Sequence, residues 1–412
     1  TIEGGGSIYA PVENKGNIIA NNGTMGIYAE ITNDSGTISV NGSENILDLR
    51  STVTGGNINP GEGTVQLYSA TLTGTTLGAG KINVTGNSSI VGDTTLSGTD
   101  LSIQNGKTLY LKKDGENNPT ITNNGVISLD GSGWQTNLYA YDAVVTLTGN
   151  GSVKLGSNGN NRLTYSGEGS FINDTNHTIE GGGSIYAPVE NKGNIIANNG
   201  TMRIYNNITG NGSVSIKNSA TLALNQNLEA GNFSMEQGTT LNVANNKTID
   251  LNGDFTFSQI DESKWQWGTN TTLVMSGEGI CNQSLEIGGY DYGQDSTGFS
   301  NNFDLEKLVI DGENTYVYLI DLIDNGNRSS NEALYVSDLD VLTGATLNLN
   351  GLNLYTIYNG SPYLVCAGDG DKFGGGEIIN SPVPIPESFW LLISATLCLL
   401  VINKKKDRWV SI

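Results

Sequence analysis

Along most of this chain, apolar residues fall at every second position in short runs, and each run is closed by Gly or Asn. Ile121-Thr-Asn-Asn-Gly-Val-Ile-Ser-Leu129 and Leu147-Thr-Gly-Asn-Gly-Ser-Val-Lys-Leu155 share one shape: an apolar residue, Thr, two small turn residues, Gly, then x-apolar-x-apolar. Gly80-Lys-Ile-Asn-Val84, Gly238-Thr-Thr-Leu-Asn-Val243 and Lys247-Thr-Ile-Asp-Leu251 repeat the tail of that motif. Period-two alternation puts one set of side chains on one side of a strand. Gly and Asn tolerate positive φ and mark turns, whereas Thr, Val, Ile and Tyr favour strands. The pattern predicts an all-β chain with a strand roughly every ten residues or fewer.

A longer repeat lies over the short one. The segment Thr1–Met25 recurs without change as Thr178–Met202. Beyond it, Ile31-Thr-Asn-Asp-Ser-Gly-Thr-Ile-Ser-Val40 still aligns with Ile208-Thr-Gly-Asn-Gly-Ser-Val-Ser-Ile216, allowing one deletion. An array of similar units accepts such a duplication without losing its fold. Many short strands fit a sandwich or a solenoid. A sandwich domain needs a linker at its boundary, and no Pro/Ser-rich linker precedes residue 380. We therefore expect a right-handed parallel β-helix (β-solenoid) over 1–258. Asn side chains are expected to ladder at its corners. Ile8, Val12 and Ile18 are expected in the same rung environments as Ile185, Val189 and Ile195. The Glu3-Gly-Gly-Gly segment and its copy at Glu180 read as turns.

The pattern changes near residue 258. Asp261-Glu-Ser-Lys-Trp-Gln-Trp267 brings in two tryptophans, and 288–304 is rich in Gly, Asp and Asn. Alternation returns in Leu308-Val-Ile310, Tyr316-Val-Tyr-Leu-Ile320 and Ala333–Tyr355. Residues 259–360 read as an irregular insertion followed by terminal rungs and a cap, and 361–388 as a flexible linker. Next comes an apolar run over 389–402, then a basic tail over 403–412. The run has 14 residues. As a helix it spans about 21 Å, against a hydrocarbon core of roughly 30 Å. An ordinary membrane anchor is one reading of it, and a transient membrane-inserted signal is the better fit to its length.

The order of Pro386 and Glu387, then the apolar run, then Lys404, Lys405, Lys406 and Arg408 resembles the PEP-CTERM sorting signal of Gram-negative bacteria. The family pattern is Val-Pro-Glu-Pro. Here it reads Ile385-Pro386-Glu387-Ser388, with Ser388 in place of the second proline. The stretch Ala333–Tyr355 also resembles the region that precedes this signal in such proteins. The lettering of about 1–260 resembles the passenger regions of autotransporter adhesins. The resemblance implies processing by an exosortase and transient insertion in the inner membrane. It further implies delivery to the cell surface or extracellular matrix, with exopolysaccharide or other surface glycans as candidate partners. A passenger of a β-barrel autotransporter would instead end in amphipathic barrel strands. Thr1-Ile-Glu-Gly-Gly-Gly has neither a basic n-region nor an apolar h-region. We therefore expect a segment of an exported precursor whose signal peptide lies upstream.

Composition narrows the chemistry. The net charge of −21 and pI of about 4.3 argue against nucleic acid, which needs a basic face. Of three cysteines, Cys398 lies in the apolar run, and Cys281 and Cys366 are a candidate pair. No metal-ligand spacing and no cofactor motif is present. Asp338-Leu-Asp340 and Asp369-Gly-Asp371 lack the spacing of a calcium loop. His177 is the sole histidine, in Asn176-His177-Thr178, and reads as part of a turn. Asp291, Asp295 and Asp304 with Tyr290 and Tyr292 are where a glycosidic site would be sought. The sequence therefore reads as a non-catalytic structural or adhesive protein. A carbohydrate-active β-helix enzyme is the rival. A cleft gathering two or more carboxylates with a basic residue would separate them.

Overall fold

A computed structural model describes residues 1–277, 282–325 and 332–382. It is all-β, with 55% strand and 3% helix, built from long parallel sheets in a β-solenoid-like coil. The strands form two hydrogen-bonded sheets of 34 and 13 strands. The larger sheet contains two faces of the coil, which strands Ile2–Ile8 and Asn17–Ile27 join by continuing round a corner. Face one runs through Thr37–Val40, Asn57–Asn59 and Thr76–Leu77 to Val189–Asn191 and beyond. Face two runs through Ile46–Leu49, Thr64–Leu67 and Gly80–Val84 to Thr178–Gly181 and beyond. Face three is the smaller sheet, from Val12–Glu13 to Trp265–Trp267.

Every strand ladder within residues 1–250 is parallel. Partners lie one rung apart, from 16 positions (Ile2 and Ile18) to 29 positions (Leu109 and Leu138). The alternation sends every second residue inward: Ile38, Ile58, Leu77 and Leu96 on face one are all fully buried. These residues belong to one continuous core that runs from Ile18 to Ile378. Stacking is what makes such short strands stable, because a rung alone cannot bury its inner face.

The duplicated segment departs from expectation in one respect. Its local pairing is the same in both copies: Ile2 with Ile18 and Ile179 with Ile195, Ile8 with Ile27 and Ile185 with Ile204. Backbone angles agree at some positions, with φ of 132° at Gly4 and 121° at Gly181, and 58° at Asn22 and 57° at Asn199, but Gly6 has φ 118° and its copy Gly183 is not left-handed. Yet the copies lie on different faces. Ile18 is on face one and Ile195 on face two; Val12 is on face three and Val189 on face one. The environments are therefore not equivalent. The second copy sits eight rungs and one face further along, because rung length varies. Ile58 to Leu77 takes 19 residues, whereas Thr122 to Thr148 takes 26. The strand Ile2–Ile8 also pairs with one neighbouring rung only, so Ile2 is 42% exposed, while Ile179 pairs on both sides and is fully buried. The Glu3-Gly-Gly-Gly segment is not a turn in the first copy. It lies inside the strand Ile2–Ile8, where the register shifts between Gly4 and Gly6.

Face three ends at Trp265 and Trp267. The Trp265 ring packs on Phe255, Phe257 and Phe303, and its indole N–H donates to the Asp304 carbonyl at 3.1 Å. Among the described residues only faces one and two continue beyond it. Residues 361–382, expected to begin a flexible linker, are part of the folded body. Ser361–Leu364 pairs antiparallel with Asn353–Tyr358, and Glu377–Ile379 adds a parallel strand to Thr346–Asn348. Buried Ile378 explains this, since it continues the core by one rung.

Candidate functional site

His177 follows a tight turn, in which its own N–H donates to the Asp174 carbonyl, and its side chain is fully buried. Its Nδ1 lies 2.7 Å from Asn173 Oδ1, and its Nε2 lies 3.1 Å from Asn123 Nδ2. An amide oxygen must accept and an amide nitrogen must donate, so the imidazole is neutral with its proton on Nδ1. Burial holds its pKa down at about 4, with Asp174 opposing weakly. The ring is thus one step of an amide ladder. Asn173 Nδ2 donates to Asn191 Oδ1 at 2.7 Å, and Asn191 Nδ2 donates to the Ser213 carbonyl at 3.3 Å. Asn14, the copy of Asn191, donates to Asn33 Oδ1 at 2.6 Å, at a different corner of the coil. The expected amide ladder is present, and it includes the one histidine.

The acidic candidates are held by local structure. Asp291 accepts from the Gly293 N–H at 2.9 Å and from Asn353 Nδ2 at 2.7 Å. Asp295 caps the short 3-10 turn Ser296–Phe299 through the N–H and hydroxyl of Thr297, which lower its pKa. Asp304 is half-buried, which raises its pKa, and it accepts from the Asn302 N–H at 3.3 Å. Asp338 and Asp340 both pair with Lys307 at 2.7 Å. Asp369 is held by Lys372, Tyr363 and the Cys366 N–H. Among the described residues no group of three His, Cys, Asp or Glu side chains could hold a metal ion.

A groove of about 360 Å³ does gather carboxylates with a cation: Glu190, Glu229 and Asp250 with Lys192. Glu229 and Asp250 are register partners on adjacent rungs of face one. Glu190 is ion-paired with Lys192 at 2.8 Å, and Asp250 accepts from the Ser276 hydroxyl. The groove is an open channel across rungs, with both ends of the series already bonded.

Exposed aromatic residues form two further surface features. One column runs up the corner after face two: Tyr9 stacks on Tyr28 at 4.9 Å, and Arg50 lies over both Tyr28 and Tyr68. Its copy pairs Tyr186 with Tyr205 at 4.6 Å, with Arg162 over Tyr186. In both columns the ring faces cover one another. A second arrangement lies on the outer side of face three. Tyr110, Tyr139 and Tyr141 meet at tilted or edge angles, and Lys112 Nζ lies over Tyr110 and Tyr141. Trp134, 74% exposed, lies on the loop that enters that face just before the strand of Tyr139 and Tyr141. The signal for this group in sequence is Tyr and Lys at alternate positions, Tyr110-Leu-Lys112 and Tyr139-Ala-Tyr141, on strands one rung apart.

Pro386, Glu387, Lys404, Lys405, Lys406 and Arg408 lie outside the described residues, as does the apolar run. So does Cys281, the candidate partner of Cys366, whose own exposed thiol forms no disulfide with a described residue. Among the described residues no helix is long and apolar enough to cross a membrane. No family model matches the chain, nor does any curated protein or any solved structure.

Proposed function

We propose that this chain is a structural or adhesive protein of the surface or extracellular matrix of a Gram-negative bacterium. It is a right-handed β-helix, exported and then sorted by an exosortase through its C-terminal signal. The observation that carries the non-catalytic reading is the state of its candidate catalytic groups. The sole imidazole is buried and neutral inside an amide ladder. Asp291 and Asp295 are engaged in turns. A hydrolase or lyase needs a donor and an acceptor held together and open to substrate. The motif–apolar–basic order of the tail supports sorting.

The groove lined by Glu229 and Asp250 favours one second reading, a carbohydrate-active β-helix enzyme. The test is incubation of the full chain with a panel of acidic and neutral polysaccharides, reading reducing ends and unsaturated products. No release is expected. Release that Glu229→Gln or Asp250→Asn abolishes would establish the enzyme instead.

A further inference from the structure

The loop that carries Trp134 is bound with unusual completeness. Its side chains from Ser132 to Gln135 are exposed, yet side chains satisfy every backbone polar group from Gly131 to Trp134. The N–H of Gly131 donates to Asn161 Oδ1 and its carbonyl accepts from Asn161 Nδ2. Asn105 Oδ1, one rung before, accepts from the N–H groups of Ser132, Gly133 and Trp134 at 3.0–3.1 Å. The carbonyls of Ser132 and Gly133 accept from Asn158 and Asn160 of the following rung, both at 3.0 Å. The Trp134 carbonyl accepts from the Thr136 hydroxyl at 3.2 Å.

An indole this exposed gives no core burial in return for a loop backbone held so firmly. Among the described residues no ring and no cation packs on it, unlike the tyrosine columns, whose faces are covered. An open aromatic side chain on so fully bonded a backbone suits a preorganised binding site, because little backbone ordering entropy remains to be lost on association. The platform borders a concavity of about 700 Å³ lined also by Lys107, Gln135 and Asn137. From there Asn137, Tyr139 and Tyr141 point outward in a row along the strand, flanked one rung earlier by Tyr110 and Lys112. The row of outward side chains extends about 7 Å per step. It offers apolar ring surface, amide donors and acceptors, and two ammonium groups. It carries no carboxylate, in a chain whose net charge is −21. Neither Lys107 nor Lys112 is ion-paired among the described residues, and Asp130, just before the loop, is bonded to the Ser102 hydroxyl at 2.6 Å.

We propose that this strip of face three, with Trp134 as its platform, binds an extended acidic polysaccharide. A pyranose lies with its C–H face on the indole, its hydroxyls meet Gln135 and Asn137, and uronate carboxylates meet Lys107 and Lys112. This rests on the non-catalytic adhesive reading above and names the ligand class for it.

The experiment is depletion binding of the full chain to polygalacturonate beads and, separately, to neutral dextran beads, with reducing ends read in the supernatant. Retention on polygalacturonate is expected, with at least a tenfold loss in Trp134→Ala. The Lys107→Gln/Lys112→Gln double variant should bind several-fold more weakly and lose most of its salt dependence. Tyr9→Ala should bind as the parent does. Trp134 and both lysines reach solvent, so far-UV circular dichroism should be unchanged. Should Trp134→Ala alter it, the lysine pair carries the same test. Equal retention on dextran, no retention, or full retention by Trp134→Ala would overturn the inference. Cleavage of the polymer with binding intact would overturn the non-catalytic reading and leave the site standing.

Discussion

Replacing Asn173 by Ala removes the centre of the amide ladder. The side chain is fully buried and makes three bonds: Nδ2 to Asn191 Oδ1 and to the Asn194 carbonyl, and Oδ1 from His177 Nδ1. Truncation leaves an amide oxygen, a backbone carbonyl and an imidazole N–H facing a small dry space. A buried polar group left without a partner costs about 1–3 kcal/mol, so three of them, partly relaxed, cost about 3–6 kcal/mol. A solenoid need not unfold in one step, so the loss should appear locally. The assay is native-state hydrogen exchange of the amides on Thr178–Gly181, Val189–Asn191 and Asn194–Asn198. Protection there should fall on the order of 10²- to 10⁴-fold, at 1.4 kcal/mol per decade, while Thr64–Leu67, several rungs away, keeps its protection. A fall of less than about 5-fold, near 1 kcal/mol, would refute the view that the ladder holds these rungs together.

Three further outcomes follow from the same geometry. Gly181→Ala should destabilise far more than Gly4→Ala. Both sit at positive φ in identical sequence, but a Cβ at Gly181 would collide with the Leu155 carbonyl oxygen, whereas nothing lies within 4 Å of one at Gly4. Equal losses in urea midpoints would contradict this. His177 is held neutral by burial with a pKa of about 4, against 6.5 unfolded. The unfolded chain binds the extra proton, so this contribution is full above about pH 6.5 and is lost as pH falls to 4, by about 3 kcal/mol. His177→Gln should flatten the slope of stability against pH in that window, and an unchanged slope would speak against the assignment. Glu286 runs the other way. Burial pushes its pKa up to about 7, partly offset by the Ile323 and Leu322 N–H groups it accepts. Its contribution is present below about pH 4.5 and lost as pH rises through 7, so Glu286→Gln should be more stable than the parent at pH 9 by about 3 kcal/mol. No gain at pH 9 in guanidinium titrations would count against it.

Much of the coil was legible in the chain because its physics is local. Alternation in Thr64-Val-Gln-Leu67 or Thr240-Leu-Asn-Val243 states which side chains face inward, and each of these strands buries its apolar pair. Asn173 and Asn191 could be expected to ladder because each closes a strand just before a corner. Which face a segment occupies was not legible. All three faces bury the same kinds of residue in the same alternation, so the phase follows from the summed lengths of preceding rungs. That is how an identical segment comes to lie one face out of step with itself. The binding strip was hidden for a related reason. Asn105 and Trp134 are 29 residues apart and Trp134 and Asn158 are 24 apart, and they meet only once the rung lengths are known. The Ser361–Leu364 and Glu377–Ile379 strands were obscured by the Gly-rich stretch between them, which forms the 3-10 turn Asp369–Lys372 rather than a linker.

The central claim, an exported scaffold sorted through its tail, is tested most directly in cells. The full chain, with an upstream signal peptide, is expressed in a Gram-negative host with and without an exosortase, and the extracellular and surface fractions are analysed by intact-mass spectrometry. With the exosortase, the mature chain outside the inner membrane should lack 389–412; without it, the uncut chain should stay with the inner membrane. Recovery of the intact C-terminus in the extracellular fraction, or the same distribution in both hosts, would contradict the account.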